Sequence, residues 1–205
     1  MPNEVTSIIL AGGKNIRLGR NKAFEVIRGK TIIDWVFERL EPISSQIVVV
    51  TSWAQFDIEL NHNTDIIADI YPDMGPLGGI YTGLTASKSD INIVAACDMP
   101  FLNTGLLQYM AEILASYDAV VPRLANEMIE PLHAVYSKNC LSRIDECLTL
   151  KKLSIHAFLS GMNVRYLEED ESRKFDPELI SFFNINYQTD LEEALKMSEK
   201  YGVEQ

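Results

Sequence analysis

The sequence predicts an α/β fold in three layers, with helices on both faces of a mostly parallel β-sheet. Short apolar runs rich in β-branched residues alternate along the first half of the chain with segments whose apolar residues recur at helical spacing. The first such pair is the run Val5–Leu10, followed by Ile33, Val36, Phe37 and Leu40 at i, i+3, i+4 and i+7. Such alternation is typical of a doubly wound, Rossmann-like sheet, whose ligands bind beyond the carboxyl ends of the strands.

Further elements follow the same order. Apolar runs at residues 47–50, 66–67 and 91–97 predict strands, and helical spacing recurs over residues 77–84 and 106–114. The run at 91–97 is almost continuously apolar, as expected of a central strand covered on both faces. We therefore expect this strand to lie in the middle of the sheet.

Beyond residue 118 the pattern is less regular. Runs at 119–122 and 132–136 predict an antiparallel pair at the sheet edge, joined by a short polar turn. The remaining predictions are helices near 138–149 and 153–160, a solvated charged loop at 168–174, a short strand at 182–186 and a last helix after it. The sequence has no internal repeat and no break in composition, so we expect residues 1–205 to form a single domain.

The charge of the chain is unevenly distributed. Its formal net charge is −11, which disfavours a nucleic-acid or anionic-membrane binder, because both need an extended basic surface. Residues 14–30 nevertheless carry a local charge of +5, which leaves −16 for the remainder. The cations in this segment are Lys14, Arg17, Arg20, Lys22, Arg28 and Lys30. A small anion-binding site on an otherwise acidic protein fits this distribution, although some of these cations are expected only to face water.

Cysteine usage and hydropathy indicate where the protein works. The three cysteines, Cys97, Cys140 and Cys147, form no CxxC or zinc-binding spacing, so we expect no disulfide framework. The sequence begins without a charged and apolar leader, and no apolar run approaches the ~20 residues of a membrane span. The expected location is the cytoplasm.

The segment after the first predicted strand has the composition of a phosphate-binding loop. Leu10, Ala11, Gly12 and Gly13 end the strand in two glycines, and four cations with no carboxylate follow before Ala23. Glycines let backbone N–H groups close on an anion, and the cations neutralise its charge. The loop does not match GxxxxGK[ST], and it lacks GxGxxG with an acidic residue ~20 positions later. The two commonest glycine-loop motifs are therefore disfavoured.

Four separated motifs together resemble a known family. They are Leu10-Ala11-Gly12-Gly13-x-x-x-Arg17-Leu18-Gly19-x-x-Lys22, Gly75-Pro76-Leu77-Gly78-Gly79, Ala96-Cys97-Asp98-Met99-Pro100 and Asn184-Ile185-Asn186. The chain resembles, from about residue 6 to about 195, the molybdenum cofactor guanylyltransferases, also called the molybdopterin-guanine dinucleotide biosynthesis protein A family. This family belongs to the nucleotidyltransferases with the LAGG/LAAG-x-x-x-RMG-x-x-K signature.

The resemblance implies a role for each motif. Leu10, Ala11, Gly12 and Gly13 would contact the nucleotide through backbone groups, and Gly75, Pro76 and Leu77 would help frame its guanine. Arg17 and Lys22 would meet the triphosphate and stabilise the departing pyrophosphate. Asp69 matches a nucleotide-contacting aspartate, but Asp73 is close enough in sequence to leave that assignment open. The alternative for Arg17 and Lys22 is that both are surface residues with no role in binding.

The resemblance also implies a metal and an acceptor side. Asp98 matches a carboxylate that binds Mg²⁺, the expected cofactor, and its structural alternative is a turn or cap residue. Asn184 and Asn186 would lie near the acceptor and the metal, on one side of the predicted strand, unless they only cap a turn. Residues 130–133 resemble the family stretch on the acceptor side, with strand and turn structure as the plainer role.

The reaction implied is transfer of GMP from GTP to the terminal phosphate of molybdopterin, with release of pyrophosphate. It needs no protein base, so none of His62, His133 and His156 is expected to be catalytic. The implied partners are GTP, molybdopterin and, transiently, molybdenum-insertion proteins and molybdoenzymes. The alternatives are a related enzyme that uses CTP or a sugar or other small phosphate acceptor, and a non-catalytic nucleotide-binding partner. Gly13 favours guanine, because cytidylyl relatives tend to carry alanine there.

Overall fold

The computed structural model of the protein describes residues 4–12, 22–52, 60, 62 and 64–201. The strands in these ranges are β1 (Val5–Leu10), β2 (Val26–Ile27), β3 (Lys30–Thr31), β4 (Gln46–Thr51), β5 (Asp65–Ala68), β6 (Ile91–Ala96), β7 (Ala119–Leu124), β8 (Met128–Ile129), β9 (His133–Ser137) and β10 (Val164–Glu168). The helices are α1 (Ile32–Leu40), α2 (Gly75–Ala86), α3 (Thr104–Ile113), α4 (Cys140–Thr149), α5 (Ile155–Leu159), α6 (Glu169–Ser172) and α7 (Gln188–Tyr201). These elements confirm the predicted alternation of strands and helices.

One main sheet runs through the described chain. Its strand order is β10-β7-β9-β6-β1-β4-β5, with β8 paired to β7 outside this path. The neighbours β6-β1-β4-β5 are all parallel, as is the pair β10-β7, whereas β9 runs antiparallel to both β6 and β7. The short strands β2 and β3 form a separate antiparallel pair. The mostly parallel sheet with a small antiparallel portion is confirmed.

Helices cover both faces of the main sheet. On one face Ile9 of β1 packs with α1 and α3, and on the other Ile8 and Leu10 pack with α2, α4 and α5. The alternation follows from the two-residue period of a strand, which sends successive side chains to opposite faces. A third apolar cluster joins α7 to the β2–β3 pair and to Trp35 and Phe101. The predicted three layers are therefore present.

Glycines bring α2 unusually close to β1. A Cβ atom on Gly83 would lie 2.3 Å from Cγ2 of Ile8, and one on Gly79 would lie 3.2 Å from Cδ2 of Leu10. Both glycines are buried in the helix face that contacts the sheet. Since no side chain intervenes, the helix begins directly beside the carboxyl end of β1.

The antiparallel pair was predicted correctly, but its place in the sheet was not. Strand β10 pairs with β7 on the outside, so neither β7 nor β9 is an edge strand. The connection between them is also longer than a polar turn, because β8 folds back onto β7. The sequence analysis did not predict β10, because Arg165 and Glu168 interrupt its apolar pattern.

At residues 168–174 the predicted loop is wrong, whereas the predicted exposure of the charges holds for Glu168, Asp170, Arg173 and Lys174. Glu168 ends β10, and α6 follows at once and includes the fully buried Ser172. The charges form ion pairs rather than facing water singly: Arg165 lies 2.8 Å from Glu171, and Arg173 lies 2.7 Å from Glu169. The stretch is held mainly by the pairing of β10 with β7 and by burial of Leu167 and Ser172, since ion pairs this exposed contribute little.

The predicted strand at residues 182–186 is also wrong. A 3₁₀ turn occupies Ile180–Phe182, and the residues after it have no regular structure. Their backbone N–H groups find other partners: that of Ile185 donates to the carbonyl of Asp98 at 3.0 Å, and that of Asn186 donates to Oδ2 of Asp190 at 2.8 Å. Because these bonds replace a strand ladder, the segment docks on Asp98 as a loop.

No helix within the described ranges is both long and apolar enough to cross a membrane.

Candidate functional site

The carboxyl ends of the parallel strands open into a cavity of about 970 Å³. Backbone bonds continue the sheet past the strand ends, since Ala11 N–H donates to Val50 at 2.8 Å and Cys97 N–H donates to Leu10 at 3.2 Å. The lining residues are Leu10, Ala11, Gly12, Lys22, Val50, Ser52, Asp69, Pro72, Asp73, Gly75, Pro76, Gly79, Ala96, Cys97, Asp98, Met99, Glu130, Pro131, Leu132 and Asn184. The site therefore lies where a doubly wound sheet is expected to bind its ligands.

A lysine and an aspartate that line this cavity form an ion pair. The Lys22 ammonium forms an ion pair with Oδ2 of Asp98 and donates a second hydrogen bond, of 3.2 Å, to Oδ1 of Asn186. The side chains of Lys22 and Asp98 are 20% and 12% exposed. Partial desolvation strengthens the attraction between them relative to a pair at the surface. The three residues come from distant parts of the chain, so tertiary folding assembles the cluster.

The second oxygen of Asp98 is available to a cation. Oδ1 is buried and has no hydrogen-bond partner within the described ranges. A buried carboxylate oxygen without a donor is costly, and a hard cation is one way to satisfy it. The described residues contain no group of three or more His, Cys, Asp or Glu side chains that could enclose a metal. The observation that bears on Mg²⁺ is Oδ1 of Asp98, since this ion is usually held by one or two carboxylates together with substrate phosphates and water.

The first strand and its glycines line the cavity from one side. Leu10, Ala11 and Gly12 all contribute to its wall, as the predicted nucleotide contact requires. Gly13 and Arg17 lie outside the described residues, so their predicted roles remain predictions.

The start of α2 forms the adjoining wall. Gly75, with φ of +65°, and Pro76 are exposed there and line the cavity. Leu77 is different: its side chain is fully buried, packs with Ile80 in the core and is not part of the cavity wall. Any contact of Leu77 with a ligand would therefore have to come from its backbone.

Asp69 and Asp73 both line the cavity, so the choice between them stays open. Oδ1 of Asp69 accepts hydrogen bonds of 2.9 Å from Tyr71 N–H and from the Thr82 hydroxyl. These bonds fix the turn that leads into α2. Asp73 lies further along the turn, exposed, in the left-handed region with φ of 64°.

The opposite end of the cavity is formed by the turn before β9 and by Asn184. Glu130, Pro131 and Leu132 line it, and burial raises the pKa of the Glu130 carboxyl. Asn184 reaches this wall, whereas Asn186 is placed at Lys22. The two asparagines therefore both lie at the site, but on a loop and with different neighbours.

Cys97 lines the cavity, and burial restricts the reactivity of its thiol. Burial raises the pKa of its thiol to about 12, because the thiolate would be desolvated next to Asp98. It is therefore a neutral thiol at physiological pH and a poor nucleophile. Ser52, which belongs to none of the predicted site motifs, also lines the cavity; it directly follows the end of β4, so the rule that ligands bind at strand ends could have found it.

His133 is buried beside the site and does not line the cavity. Its ring lies 4.6 Å from that of Phe182, and neither ring nitrogen has a partner in hydrogen-bonding geometry among the described residues. Burial lowers the pKa of His133 to about 4, although the nearby backbone of Ser181 and the charge of Asp176 partly oppose the fall. A neutral, enclosed imidazole agrees with the prediction that this histidine is not catalytic.

We expect this histidine to make the protein sensitive to acid. The unfolded chain binds the proton with the ordinary pKa of 6.5 and the folded chain only near 4, so stability is lost as pH falls through this window. The loss between pH 7 and pH 5 should be about 2 kcal/mol. Urea unfolding of the wild type and of His133→Leu at both pH values measures it. If the variant loses as much stability as the wild type, another group causes the effect.

Comparison with known proteins identifies the family. Residues 7–165 match the family described as the MobA-like NTP transferase domain. The probable molybdenum cofactor guanylyltransferase of Peptoclostridium acidaminophilum is 33% identical over 95% of this chain and 90% of its own. The molybdenum cofactor guanylyltransferase of Desulfosudis oleivorans is 36% identical over 93% of this chain and 94% of its own.

A solved structure agrees with these sequence relatives. The crystal structure of molybdopterin-guanine dinucleotide biosynthesis protein A from Archaeoglobus fulgidus has a TM-score of 0.83 and 31% sequence identity, and the similarity covers 95% of this chain and 99% of that one. Sequence and fold thus agree over nearly the whole length. The chain belongs to the molybdenum cofactor guanylyltransferase family, among the MobA-like nucleotidyltransferases.

Proposed function

We propose that this protein transfers GMP from GTP to the terminal phosphate of molybdopterin, releases pyrophosphate and forms the guanine dinucleotide. Family membership supports the reaction. The contact between Lys22 and Asp98, in the cavity at the strand ends, is the observation that supports assigning the reaction to individual residues. The Lys22 ammonium could bind phosphate and the Asp98 carboxylate could bind a metal ion, and the cavity beside them has room for a nucleotide.

The proposed nucleotide site is the half of the cavity over β1, β4 and β5. Backbone groups of residues 10–12 and of the first turn of α2 form its wall, and exposed N–H groups at a helix start favour anionic or polar ligand atoms. Gly13, Gly75, Pro76 and either Asp69 or Asp73 are the proposed guanine contacts. A carboxylate suits guanine because the base presents adjacent N–H donors.

Lys22 and Arg17 are the proposed triphosphate ligands. An ammonium can move between acceptors, and Lys22 already holds two acceptors at the site, the oxygens of Asp98 and Asn186. Contact with phosphate oxygens would let it neutralise charge that develops on the leaving pyrophosphate. The attacking phosphate is ionised at neutral pH, so positioning and charge stabilisation suffice and no protein base is required.

Asp98 is the proposed ligand of Mg²⁺, through the buried Oδ1 that has no donor among the described residues. When bound, Mg²⁺ would supply charge neutralisation at the phosphate oxygens of the nucleotide. The hydrogen bond from Ile185 N–H to the Asp98 carbonyl fixes the backbone that carries this carboxylate. Asn184, two residues from Asn186 on the same loop, is the proposed contact on the acceptor side. Contacts with molybdenum-insertion proteins and molybdoenzymes remain a prediction.

The direct test is to incubate the protein with GTP, Mg²⁺ and molybdopterin and to measure pyrophosphate and the dinucleotide. We expect both products, and we expect GTP to raise the melting temperature more than CTP, ATP or UTP does, because a selective ligand stabilises according to its affinity. Stabilisation by CTP alone would indicate a cytidylyltransferase. GTP binding without turnover in the presence of acceptor would indicate a non-catalytic binder.

A further inference from the structure

We propose that Glu130 selects the acceptor by accepting hydrogen bonds from the ring N–H and the adjacent amino group of its pterin. The inference rests on the proposed function, since it assigns a residue to the second substrate of that reaction. It is carried by three observations: a rigid turn, a carboxylate without a partner, and the position of that carboxylate at the far end of the cavity.

Hydrogen bonds hold the turn that carries Glu130. Its N–H donates to the carbonyl of Pro122 at 3.0 Å, and its carbonyl accepts the N–H of His133 at 3.1 Å. Pro131 occupies the second position of this four-residue turn, where its fixed φ is favourable. The turn is also tied to the sheet, because Ala96 N–H donates to Leu132 at 2.9 Å. The Glu130 side chain is therefore presented from a fixed backbone.

The Glu130 carboxylate makes no hydrogen bond or ion pair with any residue in the part of the chain that is described. It is partly buried, and this burial raises its pKa because the ionised form loses hydration. Other carboxylates of the same region are paired: Glu127 lies 3.3 Å from Arg123, and Glu168 accepts from the same arginine at 3.2 Å. A desolvated carboxylate without a donor gains more from a ligand N–H than a solvated one does.

Topology places Glu130 at the end of the cavity away from the proposed nucleotide site. It directly precedes the turn into β9, and the strand order β9-β6-β1-β4 separates it from the Ser52 end. Three strand spacings of about 4.8 Å put these ends roughly 14 Å apart. Asp98, at the end of β6, lies between them. With the nucleoside over β1, β4 and β5, the acceptor takes the end at Glu130.

The donor pattern of a pterin fits a carboxylate. Its pyrimidinone ring carries an N–H next to an exocyclic amino group, and two carboxylate oxygens can accept from both donors at once. Glutamine offers only one acceptor oxygen and turns an NH₂ donor toward the other position. Lumazine, in which oxygen replaces the amino group, removes one donor from the ligand itself. The Glu130→Gln substitution and the replacement of pterin by lumazine therefore test the same pair of hydrogen bonds.

The experiment compares wild type, Glu130→Gln and Glu127→Gln. In the transfer assay we expect Glu130→Gln to raise the KM for molybdopterin about tenfold, with the KM for GTP unchanged, since one of two charge-assisted bonds is lost. In fluorescence titrations of the complex with Mg²⁺ and a non-hydrolysable GTP analogue, wild type should bind 6-methylpterin more tightly than 6-methyllumazine. Glu130→Gln should lose this preference, and Glu127→Gln, whose partner Arg123 lies outside the cavity, should keep it.

Melting temperatures separate a binding role from a structural one. Removing the charge of a partly buried carboxylate should leave the melting temperature of Glu130→Gln equal or higher, whereas a structural role predicts a lower value. An unchanged KM for molybdopterin together with an unchanged pterin preference overturns the assignment of Glu130. A raised KM for GTP would move Glu130 to the nucleotide side and also overturn it. If wild type transfers no GMP at all, the proposed function fails instead.

Discussion

Replacing Asp98 by asparagine should lower the rate of GMP transfer at least about a hundredfold, because an amide is a poor ligand for a hard cation and carries no charge. The substitution keeps the size of the side chain and leaves the backbone carbonyl that accepts from Ile185. Pyrophosphate release at saturating GTP, Mg²⁺ and molybdopterin measures the effect. The melting temperature, measured alongside, shows whether the variant is folded.

Asp90→Asn is the matched control for this prediction. Asp90 immediately precedes β6 and is exposed, so it lies at the opposite end of the strand that leads to Asp98. The control should keep the wild-type transfer rate, since it removes one carboxylate from the far end of β6, outside the cavity. Transfer by Asp98→Asn within a few fold of the control would remove Asp98 from the proposed metal site.

Replacing Lys22 by methionine should have two opposite effects. Transfer should fall at least about a hundredfold, because the triphosphate loses a cation at the point where charge develops. The affinity for Mn²⁺ in the absence of nucleotide should rise about tenfold or more, since Asp98 no longer has a lysine as its counter-ion. Electron paramagnetic resonance of free Mn²⁺ measures this second effect without any turnover.

Two controls make the Mn²⁺ result specific. Lys30→Met removes a lysine that pairs with Glu38 at 2.6 Å outside the cavity, and it should bind Mn²⁺ as wild type does. The double variant Lys22→Met with Asp98→Asn should lose the gained affinity, because Asp98 is its source. If Lys22→Met binds Mn²⁺ no better than wild type, then Lys22 does not compete with a cation for Asp98.

The sequence by itself determined the elements that build the site. Strands β1, β4 and β6 were predictable because each is a short, mostly apolar run buried on both faces, and helices α1 to α3 because their apolar residues recur at the 3.6-residue period of a helix. Asp98 and the glycines after Leu10 stood out because each interrupts an apolar run abruptly. The failures, at residues 164–174 and 182–186, fall where long-range backbone bonds, of β10 with β7 and of Ile185 with Asp98, replace the local pattern.

Only the tertiary structure decided which side chains meet. Lys22 contacts Asp98 and Asn186, which lie 76 and 164 residues away in sequence. The strand order brings the Glu130 turn beside β6 and leaves Leu77 facing the core instead of the cavity. Hydrophobic periodicity specifies the face that an element buries, but not its neighbours. The neighbours are selected by packing over the whole core, so the pairing of Lys22 with Asp98 and the isolation of Glu130 emerge only when the sheet is assembled.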